Sequence, residues 1–214
     1  MISILRLGSE PMKLAADCHF HTVSSGHAYS TINEYAREAS EKELELIGMT
    51  DHGPRMPGSA TAVYFNNLKV IPGSLYDVEI LKGMEANIID YDGSLDTDNI
   101  NLEKLEVLIA SFHLPCLRPS TKKENTAALI NSMKNRFVNI IGHPDDGRIE
   151  LDYAELARAA ADTGVLLEIN NSSLRPTSFR LNAYENDERL LAECIKYNLY
   201  IIINSDSHIY TDIG

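Results

Sequence analysis

The sequence predicts an α/β barrel of seven strands, each followed by a helix or a long loop. Three observations carry that reading. A strand-then-helix rhythm of about 30 residues recurs along the chain, the length of one parallel βαβ unit. Several strand candidates are unbroken apolar runs, as expected of parallel strands covered on both faces. Nearly every histidine stands just after one of those runs. An open sheet would spread the groups at its strand ends along a line, because neighbouring strands lie about 4.8 Å apart. A barrel collects the same ends round one mouth, where such folds place their sites.

Taken in order, strands are expected at Lys13–Cys18, Leu44–Met49, Val78–Met84, Glu106–Ser111, Val138–Ile141, Val165–Ile169 and Tyr200–Ile203. Thr31-Ile-Asn-Glu34 and Thr121-Lys-Lys-Glu124 have capping-box spacing, in which a hydroxyl and a carboxylate satisfy the first orphan N–H groups of a helix. Asp152 precedes Tyr-Ala-Glu155 in the same spacing, and Gly164 suits the left-handed residue that closes a helix. A further helix is expected over Ala183–Tyr197. The Pro and Gly residues of Arg55–Pro72 point to an irregular loop with one short helix.

A chain of 214 residues, 44% hydrophobic and 23% charged, is long enough for one well-buried domain. No apolar run approaches the roughly 18 residues of a membrane span, and Met1–Leu7 is too short an apolar stretch for a signal peptide. A cytoplasmic location is the default expectation. Cys18, Cys116 and Cys194 are far apart, with no C-x-x-C, and read as small hydrophobes rather than a thiolate site. A net charge of −12 disfavours broad binding to polyanions such as nucleic acids.

His19 and His21 form an H-x-H pair, and regular pleating turns both, with Asp17, to one face and Cys18 to the other. His27 follows in the next loop; His52, beside Asp51, ends strand two; His113 and His143 follow strands four and five; Asp206 and His208 follow strand seven. Each signal is weak alone, since a single histidine is as readily a core residue bonded to a carbonyl. Together they indicate metal-assisted chemistry. Glu85, at the end of strand three, carries two oxygens and is able to bridge two cations. Glu168 and Asn170, at the end of strand six, read as groups that orient ligands through hydrogen bonds. This set is too large for one four-coordinate ion, so two or three ions are expected. Several open cations suit clustered negative charge, above all phosphate.

The motifs Asp17-Cys-His-Phe-His-Thr22, His27-Ala-Tyr-Ser30, Thr50-Asp-His-Gly53, Gly83-Met-Glu-Ala-Asn87, Phe112-His113, Gly142-His-Pro144, Glu168-Ile-Asn-Asn-Ser-Ser173 and Ser205-Asp-Ser-His208 resemble the PHP (polymerase and histidinol phosphatase) superfamily, most of all its stand-alone bacterial phosphatases of the YcdX type. The resemblance implies a distorted (βα)7 TIM-like barrel with three divalent ions at the C-terminal strand ends, usually zinc, sometimes manganese or iron. It implies one ion on His19, His21, Glu85 and Asp206, a second on Glu85, His113 and His143, and a third on His27, His52 and His208. It further implies hydrolysis of a small phosphomonoester by metal-bound hydroxide, and self-association of the chain. Asp17 or Asp51 is a candidate proton donor to the leaving group, and Arg148 a candidate bidentate clamp on phosphate. Residues 1–11 are expected to be an extension or start-site artefact, and 12–214 the barrel domain without its last helix, leaving apolar surface on strand seven. Competing readings are a phosphodiesterase or nuclease of the same superfamily acting on small nucleotides or oligonucleotides, and a non-catalytic metal-stabilised interaction module. An amidohydrolase-type enzyme is disfavoured, because Phe112–Arg118 offers no bridging lysine.

Overall fold

The computed structural model describes residues 13–214, so the expectation for residues 1–11 lies outside the described residues. Its strands are β1 (Ala16–Phe20), β2 (Leu46–Met49), β3 (Ser74–Leu75), β4 (Val78–Asn87), β5 (Val107–Ser111), β6 (Ile140–Ile141), β7 (Leu166–Asn170) and β8 (Ile201–Asn204). Its α-helices are α1 (Ile32–Glu41), α2 (Ala62–Asn67), α3 (Lys122–Ser132), α4 (Tyr153–Thr163) and α5 (Ala183–Lys196). Seven strands pair in parallel in the order β1-β2-β4-β5-β6-β7-β8, and β3 folds back on β4 as a short antiparallel hairpin that the sequence did not announce.

The sheet curls into a nearly closed barrel. Where β8 meets β1, a bridge between Phe20 and Ser207 and a hydrogen bond from Cys18 N to Asn204 Oδ1 (2.8 Å) span the seam. Capping boxes form at Thr31 and Thr121, Asp152 accepts from Ala154 N and Glu155 N, and Gly164 takes φ 77°. α1, α3 and α4 therefore start where side chains satisfy backbone groups that the helix leaves unpaired. Among the described residues no helix is long and apolar enough to cross a membrane.

Two cores result. Cys18, Val107, Ile109, Ile140 and Ile202 fill the barrel's interior. A larger outer core lies between strands and helices, where Phe20 meets Tyr35 of α1 at 4.3 Å between ring centroids. Interior space is tight, and a Cβ on Gly142 would overlap the Ser111 hydroxyl. On β8 the outer face is incompletely covered, with Ile203 exposed. Ile213 is fully buried in the outer core.

Candidate metal centre

The interior of the barrel changes character along its axis. Above the apolar plug, inward positions become polar: Glu85 and Asn87 on β4, Glu168 and Asn170 on β7, and Asn204 on β8, all buried. β4 runs to Asn87, past the expected Met84, because Glu85 and Asn87 stay in register with Ile109 and Ser111 of β5.

β1 departs from regular pleating. Asp17 pairs with Ile47 and Phe20 with Met49, so β1 spends one extra residue over this interval, a β-bulge. Asp17 is thus level with Ile47 and Phe20 with Met49, both of which pack in the outer core. Cys18 packs inside the barrel, and the His19 and His21 rings meet there at 5.1 Å. The expectation that Asp17 shares a face with the two histidines fails for this reason. Its carboxylate instead accepts from Ser205 N (3.1 Å), Gly214 N (2.9 Å) and His19 N (3.3 Å), pinning the chain around β8 to β1.

The structure brings all nine candidate ligands together. Glu85 lies at the centre, with Oε1 3.3 Å from His19 Nε2, 3.1 Å from His113 Nε2 and 3.0 Å from His143 Nε2. Its Oε2 lies 2.5 Å from His52 Nδ1 and 3.6 Å from His21 Nε2. Asp206 Oδ1 is 3.1 Å from His21 Nε2 and 3.6 Å from His19 Nε2. His27 Nε2 meets His52 Nε2 at 3.2 Å, and the His27 and His208 rings are 4.9 Å apart. His143 and Asp206 both take left-handed backbone conformations (φ 30° and 51°), which cost energy in non-glycine residues and gather at functional sites.

Donor accounting fixes what several rings present to this centre. Glu168 Oε1 can only accept, so His19 Nδ1, 2.8 Å away, carries a proton and Nε2 is the nitrogen turned to the cluster. Ser25 gives its one hydroxyl proton to Asp51 (2.6 Å), so it accepts from His21 Nδ1 (3.1 Å). Asn87 donates its amide to Asp96 and turns its oxygen to His113 Nδ1 (2.7 Å), and the Asp206 carbonyl takes His208 Nδ1 (3.1 Å). In every case Nε2 is the nitrogen left facing the cluster. A ring held this way is prepared for a cation by its outer hydrogen bond.

The fit can be tested on unpaired atoms. His19 Nε2, His52 Nδ1 and Glu85 Oε2 are buried and make no hydrogen bond. Uncompensated, such groups are costly, and ring nitrogens and carboxylate oxygens converging this closely suit a shared cation. Three overlapping sets of potential ligand atoms lie within 4.8 Å of one another: His21, His52 and His208; His19, His21 and Glu85; His52, Glu85 and His113. Mixed imidazole and carboxylate donors suit zinc, iron or manganese. Electrostatics agree. Burial, helped by His52 and His208, holds His21 well below the usual histidine range, and burial also lowers His27 and His113, so these rings are neutral, as ligands must be. Burial opposes charge on His19, yet Glu168, Glu85 and Asp206 outweigh it and hold that ring well above the usual range. Negative charge at this point is in excess and asks for positive partners.

Beside the cluster opens a cavity of about 640 Å³ whose walls include Arg148, Arg175, Phe179 and Arg180. Neither candidate proton donor lines it. Asp51 accepts from Thr22 N (2.7 Å), Thr22 Oγ1 (2.8 Å), Ser25 Oγ (2.6 Å) and Tyr64 OH (2.5 Å), a full complement that makes it a strut. Arg148 does line the cavity, but the Nε and Nη2 edge it would offer a phosphate is taken by Asp146 at 2.5–3.0 Å. Sequence reasoning missed Ser25, Tyr64 and Arg180. Arg180 is almost fully buried and donates to Asp206 Oδ2 (2.8 Å), Asn170 Oδ1 (3.0 Å) and Ser173 Oγ (2.9 Å). Only its position at the end of the loop that also carries Arg175 hinted at a role.

Comparison with known proteins now gives the class. A family model described as the PHP domain matches residues 17–172, and the chain belongs to that family. It is 45% identical to a probable phosphatase of Acetivibrio thermocellus over 203 residues, covering 95% of this chain and 83% of the relative. A probable phosphatase of Thermoanaerobacter sp. strain X514 is 48% identical over 204 residues, covering 95% and 82%. The histidinol phosphate phosphatase of Lactococcus lactis, solved with zinc, L-histidinol and phosphate, superposes with a TM-score of 0.66 at 22% identity, covering 92% of this chain and 87% of that one, which shows a shared fold.

Proposed function

We propose that this protein is a metal-dependent phosphatase that hydrolyses small phosphate monoesters with three divalent cations, zinc foremost. The observation that carries this is the convergence of imidazole nitrogens and carboxylate oxygens, several of them buried and without a hydrogen bond, at the wall of one open cavity. The names of the relatives and the zinc and phosphate of the Lactococcus enzyme support the same reading. His19, His21, Glu85 and Asp206 would hold one ion, Glu85, His113 and His143 a second, and His27, His52 and His208 the third. Bound there, the cations would neutralise charge on the phosphoryl group and make water nucleophilic near neutral pH.

The chain's own residues then have defined tasks. Glu168 and Asn87 hold the His19 and His113 rings with Nε2 turned to the cluster. Asp51 does the same for His21 at one remove, through Ser25. Arg180 takes Asp206 Oδ2 and leaves Oδ1 facing His21 and His19. The test is hydrolysis of p-nitrophenyl phosphate by zinc- or manganese-loaded protein. His143→Ala is expected to lower kcat/KM by more than about 100-fold, beyond the loss typical of a merely supporting residue, and to reduce the metal content per chain. Full turnover with unchanged metal content in that variant would sink the proposal.

A further inference from the structure

The cavity beside the cluster carries a feature that hydrolysis of a bare phosphate does not use. Phe179 is 67% exposed on its wall, while Phe20, Phe65 and Phe112 are buried. An aromatic ring left in water forgoes the gain from burial. One face is held in place, because the Arg148 guanidinium lies 4.6 Å from the ring centroid. Arg180 approaches at 5.6 Å. Phe179 is therefore a braced aromatic surface beside the reacting centre. Further apolar wall comes from Met56, Leu114 and Pro115.

Charge decides what this wall selects. Each arginine that lines the cavity is already matched by an aspartate: Arg148 by Asp146, Arg175 by Asp212, and Arg180 by Asp206. Among the described residues no lysine lines it. Outside the histidine and carboxylate cluster the described residues thus offer the cavity no free cation for a second phosphate, and a bisphosphate or oligonucleotide would have to break an ion pair to gain one.

Resting on the phosphatase reading, we propose that Phe179 is the stacking platform for the leaving group, and that the cavity selects single-phosphate esters whose leaving group carries a flat, uncharged aromatic ring. Aromatic stacking contributes on the order of 1 kcal/mol beyond area burial, a factor of roughly five.

The test compares three alkyl esters of similar leaving-group acidity on metal-loaded protein: 2-phenylethyl phosphate, butyl phosphate and butane-1,4-diyl bisphosphate. The phenylethyl ester is expected to show a kcat/KM roughly fivefold above butyl phosphate, with the bisphosphate no better than butyl phosphate. Phe179→Ala brings the phenylethyl-to-butyl ratio to about one, and Phe179→Trp preserves it. Calorimetric titration with 2-phenylethyl and butyl phosphonates, which carry no ester bond to cleave, gives the same order of Kd. A ratio that survives Phe179→Ala, or a preference for the bisphosphate, overturns this proposal while the phosphatase reading stands. Failure to turn over all three esters overturns that reading, and this one with it.

Discussion

Two groups of buried aspartates flank the histidine cluster, and the fold provides for them in opposite ways. On the β1–β2 side Asp51, 1% exposed, receives four hydrogen bonds, from Thr22 twice, Ser25 and Tyr64. On the β6–α5 side Asp145 and Asp187, 0% and 5% exposed, have no hydrogen-bond partner on any carboxylate oxygen. Burial pushes Asp145 up to about 6; burial, compounded by the charges of Asp145 and Glu168, pushes Asp187 up to about 8. The difference follows from what each side holds. Asp51 sits beneath loops that carry His21, His27 and His52, and its donors lock those loops. The other pair lies behind His143, where α5 packs on the β6–α4 loop through the hydrogen bond from Asn186 to the Asp145 carbonyl. One side is built to be rigid; the other tolerates a destabilising pair.

The largest expected effect breaks the well-provided side. Asp51→Ala strands the Thr22, Ser25 and Tyr64 donors in a buried site and is expected to cost about 3–5 kcal/mol, or roughly 10 °C in melting temperature. Because Ser25 then loses its acceptor and is free to donate to His21 Nδ1, metal content should fall as well. Differential scanning calorimetry and elemental analysis of the purified variant check both. A variant that melts like wild type with its metals in place would show that Asp51 is no strut.

This comparison also marks where sequence reasoning stopped. The barrel was legible because apolar runs and capping residues are local signals, and the candidate ligands because they recur at strand ends. Asp17 was misread because alternation assumes an unbroken pleat, and nothing in Ala16–Phe20 announces the bulge that inverts it. Asp51 was placed near the site, but its four donors were not legible, since one comes from Tyr64, on the short helix expected somewhere within the irregular stretch Arg55–Pro72. Arg180 and Phe179 lie in the loop between β7 and α5, whose path depends on contacts with Asp206 and Arg148. Long-range pairing of that kind leaves no periodicity to read.

A second prediction reverses the sign. Asp187 has its carboxyl raised in the folded state, so its contribution to stability is fully present below the ordinary aspartate range and is lost as pH rises towards about 8. Asp187→Asn keeps the shape and removes the ionisation. Its advantage over wild type should be near zero at about pH 4, grow through neutrality and level off above about pH 8. There it is expected to be worth about 2 kcal/mol, roughly 4–8 °C for a domain of this size. Melting curves across that range test it. An effect independent of pH would mean that Asp187 is not protonated in the fold and that the two sides are more alike than they look.

The smallest effect sharpens how the provision at Asp51 is divided. Thr22→Val removes the hydroxyl that donates to Asp51 (2.8 Å) and accepts from Ser24 N (3.2 Å), yet leaves the Thr22 backbone N–H, Ser25 and Tyr64 on the carboxylate. Its volume is unchanged and the site stays buried. If the donors act additively, the loss should be about 1 kcal/mol, or 2–4 °C, with metal content unaltered. If they act as one network, Thr22→Val would approach the cost of Asp51→Ala, since a half-satisfied polar cluster is worse than the sum of its missing bonds. Ser25 makes additivity the expected outcome. Its bond to Asp51 does not involve Thr22, and it is the bond that holds His21, so the ring keeps its orientation when the threonine hydroxyl is gone.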